Sequence, residues 1–342
     1  MSAFDSSTSA AAGAIKGEVK IFQSGKIAPG YTQISGEPAN YGSSQFVVCN
    51  RPFQYTDWFR LARASDGVHA VWAMTGARQA GHAVYDEVNN VWLPRTVSAS
   101  WTNAYPYNSN YGVGAFVGLP DGRIFHSSMP TQTYASIASI FDPATNGWTD
   151  VAPPPAPISQ YSGCLLTDGR VLLAGGRLQS GYAYAYNTKT NTWETFAGPN
   201  NPNIPTIVSL PSGKALLILD STYSVFTPST NSFTPYAPLP ALTCDFGIGG
   251  AMMPTATGAL VLTNGTGNDT NQGGALVYTE ATDKWVSSSS ILTPFTGSRA
   301  GAMAQLNSGA WMFVTNAAAP IPSFMKYLSQ YSPVSLVQAT KD

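Results

Sequence analysis

One layout recurs along the chain and constrains its fold more than any other feature. A turn ending in glycine, followed at once by an apolar run, occurs as DGVHAVWAM from Asp66, DGRIFHSS from Asp121 and DGRVLLAGG from Asp168. It returns as SGKALLILD from Ser212, TGALVLTNG from Thr257 and SGAWMFVTN from Ser308. The turn glycines Gly67, Gly122, Gly169, Gly213, Gly258 and Gly309 are 55, 47, 44, 45 and 51 residues apart. Asp-Gly between apolar runs marks a hairpin, and positive φ at both central positions predicts a type I′ turn. After each of the first five turns comes an aromatic pair seven residues apart: Tyr85/Trp92, Phe141/Trp148, Tyr186/Trp193, Phe226/Phe233 and Tyr278/Trp285. Turn-forming strings such as DPATNG and NTKTNT lie between the partners, so each pair marks a second hairpin. Two hairpins per repeat make a four-stranded unit. Such a unit cannot cover both of its faces alone and must stack on copies of itself. A closed ring of units also leaves only short edges.

The sixth repeat lacks its aromatic pair, and the N-terminal side offers a replacement. QFVVC, residues 45 to 49, reads as a strand lying ahead of WFRLARA and the first Asp-Gly turn. It is expected to be the outermost strand of the last unit, closing the ring with both ends of the chain. The domains expected are an N-terminal arm over 1–44, a ring over 45–332 and a short tail over 333–342. In the arm, VKIF and YTQI flank a Gly/Pro-rich turn, a hairpin suited to adding to another chain's sheet.

The apolar run ending in a Gly doublet, then Tyr, then Trp seven residues on, resembles the Kelch repeat. The third unit has the full set: Gly175, Gly176, Tyr186 and Trp193. Other units replace the doublet with Thr75-Gly76, Ser127-Ser128, Asp220-Ser221, Asn264-Gly265 or Asn316-Ala317. The resemblance implies an all-β, six-bladed Kelch-like β-propeller. It also implies that the innermost strand of each blade precedes the Asp-Gly turn. Two sets of loops then share one face: those after the doublet position and those leading into the next blade. Gly114, Gly163, Gly250 and Gly301 open presumed inner strands, where six strands crowd one axis.

Net charge is −1 with 10% charged residues, which excludes the basic face that nucleic acid requires. No run of about 18 apolar residues spans a membrane, so no membrane insertion is expected. Residues 1 to 15 lack the basic and apolar regions of a secretory signal. Cys49, Cys164 and Cys244 form no disulfide framework and no CxxC pair, so no metal and no cofactor are expected. Some Kelch propellers are copper oxidases with two His and two Tyr around a Tyr-Cys crosslink. His69, His82 and His126 fall in separate hairpins and do not assemble that set; each is expected to be a packed or surface residue.

Binding is therefore favoured over catalysis. SASWTNAYPYNSNYG, residues 98 to 112, places Trp101, Tyr105, Tyr107 and Tyr111 in one connection. Tyr134 and Arg177 belong to loops of the same face, and Tyr161 and Arg299 precede inner strands near the channel mouth. Tyr and Trp offer flat apolar area with a polar tip at small entropic cost, which suits a carbohydrate or protein surface. A surface rich in Ser, Thr, Asn, Gly and Tyr looks extracellular, and a virus particle reconciles that with the absent signal. The expectation is a bacteriophage virion protein, a tail-fibre or receptor-binding component within an oligomeric assembly. Its arm would join other virion proteins, and its ring would meet a host-surface glycan or protein. The alternative is a Kelch-type sugar-binding protein, or a hydrolase- or mutarotase-like enzyme, with its site at the channel mouth.

Overall fold

The computed structural model describes residues 32–33, 46–49, 58–74, 79–89, 91–104, 114–128, 136–158, 161–176, 181–200, 205–219, 222–239, 251–262, 273–293, 301–307, 311–315 and 323–326. Among these, the strands form six antiparallel sheets. Five are contiguous in sequence. The first blade runs Trp58–Ala64, Gly67–Met74, Gln79–Asp86, Val91–Pro94, and the second Ala115–Gly118, Ile124–Ser128, Ile137–Asp142, Gly147–Asp150. The third runs Ser162–Leu165, Arg170–Ala174, Tyr182–Asn187, Thr192–Ala197. The fourth is Thr206–Ser209, Ala215–Leu219, Thr222–Thr227, with its outer position shared by Ser232–Phe233 and Ala237–Pro238. The fifth is Ala251–Thr255, Gly258–Leu262, Gly273–Thr279, Lys284–Thr293.

The remaining sheet is composite. Gly301–Gln305, Trp311–Thr315 and Ser323–Lys326 continue outward into Phe46–Cys49, which pairs with Ser323–Lys326 from Phe46↔Lys326 to Cys49↔Ser323. Both ends of the chain thus close the ring. Phe46–Cys49 is not the outermost strand, however. Thr32–Gln33 lies beyond it, pairing Thr32↔Val48 and Gln33↔Val47. This part of the YTQI segment adds to its own chain's sheet, where the expected hairpin was to meet another chain. The first strands of the blades neighbour one another in chain order, and Gly301–Gln305 returns to Trp58–Ala64. The fold is an all-β propeller.

The seven-residue aromatic spacing has a direct cause. The two rings are cross-strand partners in all five contiguous blades: Tyr85↔Trp92, Phe141↔Trp148, Tyr186↔Trp193, Phe226↔Phe233 and Tyr278↔Trp285. Their centroids are 4.9–5.2 Å apart, the range in which aromatic pairs attract beyond their burial. Two residues before the second ring, Asn146, Asn191, Asn231 and Asp283 adopt positive φ, a conformation Asn and Asp tolerate best after glycine. Each pair faces the preceding blade; Tyr186, for example, packs in one cluster with Phe125, Ala138 and Ile140 of the second.

The Asp-Gly turns differ from the expected type I′. Gly122 and Gly169 have φ of 85° and 87°, as Gly213 of the Ser-Gly turn has 89°, but Asp121 and Asp168 are not among the residues of positive φ. The amide of Gly122 bonds the carbonyl of Leu119, and that of Leu119 bonds the carbonyl of Arg123. This is a three-residue loop with a left-handed glycine at its end. The aspartate serves through its side chain, accepting the amide two residues on at Arg123 and Arg170.

Candidate functional site at the loop face

The antiparallel order sends the turns within each pair of hairpins to one face and the remaining connections to the other. The second face, here the loop face, receives the links from second to third strand and from each blade to the next. Every residue singled out from the sequence belongs to such a link. Tyr105, Tyr107, Tyr111, Tyr134, Arg177 and Arg299 lie outside the described residues. Trp101 and Tyr161 are described, and both correct the expectation that they offer their rings to a ligand.

Trp101 sits on the short helix Ala99–Ala104 and is fully buried. Its ring lies 4.9 Å from that of His126 and packs with Ala62, Val71, Phe116, Ile124 and Phe141. It holds the 95–104 connection onto the first two blades. Tyr161 is also fully buried, and its hydroxyl donates to Ser127 Oγ at 2.7 Å, which donates in turn to the Ile137 carbonyl at 2.9 Å. A Cβ on Gly114 would stand 2.6 Å from the Tyr161 ring and 2.4 Å from the Ser127 carbonyl. Glycine at 114 is what lets the phenol lie across the entrance of the second blade's inner strand.

Arg60 was not singled out from the sequence. It projects from the first blade's inner strand, between Phe59 and Leu61, which pack toward the closing blade. It is half-buried by surface but enclosed by protein, and its Nη1 bonds the carbonyl of Phe59 at 3.0 Å. Burial lowers its pKa to about 10, and the Tyr161 phenol opposes that drop. Arg60 remains a cation at neutral pH. The ion pairs among the described residues do not include it. A half-buried guanidinium whose described hydrogen bond is to a carbonyl of its own strand favours the arrival of an anion.

The histidines, expected to be separate, converge. His69, His82 and His126 are all buried between the first and second blades. His69 Nδ1 is 3.0 Å from His82 Nε2, and His69 Nε2 is 2.6 Å from Asp66 Oδ1. His82 Nδ1 donates to the Thr96 carbonyl at 2.8 Å, which also accepts from Trp148 Nε1 at 2.8 Å. Arg95 Nη2 donates to Asp66 Oδ2 at 2.9 Å. Neither nitrogen of His126 has a hydrogen-bond partner among the described residues. Phe141 stands edge-on over His82 at 4.5 Å. The strand register explains the meeting: Val71 pairs with His82 and His69 with Val84, so the two histidines are diagonal neighbours on one face.

Among the described residues no group of three His, Cys, Asp or Glu side chains has the arrangement to hold a metal ion. The Cys164 thiol is buried and pushed up to about 12 by that burial, which removes it as a nucleophile. No helix among them is long and apolar enough to cross a membrane.

No family model matches the chain. Kelch-like protein 24a of Danio rerio is 38% identical to it over 61 residues, 18% of this chain and 10% of that protein. The chain therefore matches about a tenth of this relative's length. The ring is a Kelch-like β-propeller. Its Gly doublet also has a structural reason. Gly175 and Gly176 have φ of 76° and 102°, and a Cβ on Gly175 would meet the Pro205 ring at 2.5 Å. That proline opens the next blade, so the doublet turns the chain where two blades of the propeller touch.

Proposed function

We propose that this propeller is a recognition protein whose loop face binds a ligand on a host surface, and that it is a bacteriophage virion component of the tail-fibre or receptor-binding kind. In this reading the ring meets a glycan or protein of the host, and residues 1–44 join it to other proteins of an oligomeric particle. The domain limits 1–44, 45–332 and 333–342 go with it, with Thr32–Gln33 of the arm seated on the ring's closing sheet. The observation that carries the binding role is Arg60, an enclosed cation beside Tyr161 with no carboxylate among its described neighbours. It favours a ligand with an anionic group, such as an acidic sugar or a carboxylate side chain. The charge-poor, aromatic-rich composition supports an outward-facing protein that relies on few, well-placed charges. Tyr105, Tyr107, Tyr111, Tyr134, Arg177 and Arg299 are the further ligand contacts in this reading, while Trp101 and Tyr161 serve as buried anchors.

The test is binding of the full chain to a panel of bacterial cells and to immobilised acidic and neutral glycans. Saturable binding that prefers acidic glycans, weakens about tenfold in Arg60→Ala and falls with salt is the expected result. A chain that binds none of them yet sediments as a larger particle contradicts the receptor role and leaves a structural one. The second reading, a Kelch-type sugar-binding protein or enzyme, draws on the same Arg60 cation; turnover of a bound glycan distinguishes it.

A further inference from the structure

The chain has three histidines, and all three lie in one of the seams of the ring. Each also holds the connection that leaves the first blade for the loop face. His82 grips the Thr96 carbonyl, His69 grips His82, and His126 packs on Trp101. Among the described residues, the charged groups that reach this seam and its connection are Asp66, from the first hairpin, Arg95, from the start of the connection, and Asp150 of the second blade, which accepts from Ser100 Oγ on the connection.

Counting protons shows what acid does here. The Thr96 carbonyl can only accept, so His82 Nδ1 holds a proton. A second lies between the two rings, and a third between His69 Nε2 and Asp66. All three bonds require three protons on Asp66, His69 and His82, one more than a carboxylate and two neutral imidazoles carry. The trio can therefore take up one proton with every bond made. One more sets N–H against N–H across the 3.0 Å contact. A proton added to His126 finds no acceptor among the described residues. Its surroundings are the rings of Trp101, Phe116 and Trp148.

We propose that the seam between the first and second blades is an acid-operated joint, in which protonation of His126, and of the His69–His82 pair beyond that one proton, releases the 95–104 connection that leads to the loop face. Protonation energetics agree with the geometry. Burial lowers His69, against the pull of Asp66. Burial brings His82 down to about 3 despite its bond to Thr96, with His69, His126 and Arg95 adding to the drop. Burial alone brings His126 to about 3. A histidine free of the seam titrates near 6.5, so the opened state binds more protons. Stability of the seam is complete above that value and is lost as pH falls from it toward 3. At pH 5 each strongly lowered histidine favours opening by about thirtyfold.

Hydrogen exchange of the full chain at pH 7.5 and 5.0, corrected for the intrinsic pH dependence of exchange, tests this. Peptides over 79–104 are expected to lose protection by at least thirtyfold at pH 5.0, while 182–197 keeps theirs. His126→Phe, which keeps an aromatic ring in the slot, is expected to remove about thirtyfold of that loss. The histidine ring nitrogens, followed by NMR in the wild type, give a second reading, with His82 held as the Nδ1–H form at neutral pH. Unchanged protection over 79–104, equal loss in both regions, or histidines that titrate near 6.5 without opening would overturn the proposal.

Discussion

Where the first blade meets the second, neutral imidazoles share the seam with aromatic and alkyl groups. Where the third meets the fourth, the interior includes Leu172, Ala174, Ala183, Leu217, Leu219 and Phe226 beside the uncharged Cys164 thiol, and charge is kept to the rim. There Arg170 binds Asp168 at 2.7 Å and Glu194 at 2.8 Å, then crosses to the Asn231 side chain at 3.0 Å and the Pro228 carbonyl at 3.1 Å. Phe196 stacks on Phe226 at 5.3 Å across the same seam. The two seams differ in what they respond to. A dry apolar interior with a screened ionic rim responds to salt. A seam of buried bases responds to protons.

Truncation of a buried ring should have the largest effect. Phe226→Ala removes a fully buried side chain from the third–fourth seam and should cost about 3–5 kcal/mol in denaturant unfolding, equally at pH 7.5 and 5.5. A strong pH dependence of that cost would remove the contrast between the seams. Acid comes next. Between pH 7.5 and 5.0, His82 and His126 should each withdraw about 2 kcal/mol of stability, because the folded seam leaves them uncharged and the unfolded chain does not. Thermal unfolding across that range should show the loss, and His126→Phe should flatten it by about half.

Arg170→Ala should cost about 1 kcal/mol, since the two carboxylates are well exposed and water screens them. That cost should shrink in 1 M NaCl, where the His-seam response to pH should persist. Arg60→Met should change stability least, by less than about 0.5 kcal/mol, because the lost cation had no ionic partner among the described residues and its replacement is apolar. Its consequence should fall on ligand binding instead, measured alongside the unfolding curves.

The architecture was legible because it is written in local spacing. Tyr186 and Trp193 announce their hairpin through a constant interval, and QFVVC advertises an unpaired strand ahead of the first repeat. Thr32–Gln33 was not legible as an added strand of the same sheet, since two residues carry no periodicity. The turns were misread in one respect: Asp121 and Asp168 act through their carboxylates, a role the Asp-Gly pair shares with type I′ turns. The site was far less legible. Trp101 and Tyr161 read as exposed because they sit in connections, yet a connection between blades must itself be anchored, and large rings anchor it. Arg60 lies in a strand whose sequence, WFRLARA, alternates like any inner strand. The histidine cluster joins residues 66, 69, 82 and 126, and it forms only once the 69–84 register and the blade stacking are known. That register could have been taken from the hairpin; the stacking of His126 could not.

The proposed binding role requires the loop face to be the working face of the propeller. Hydrogen-exchange footprinting of the full chain on host cells or on an acidic glycan that it binds tests this most directly. Protection should gather in peptides at the loop-face strand ends, around Arg60, Gly114 and Tyr161, and spare the hairpins at Gly122, Gly169 and Gly213. Protection confined to those hairpins would place the binding surface on the opposite face and contradict the account.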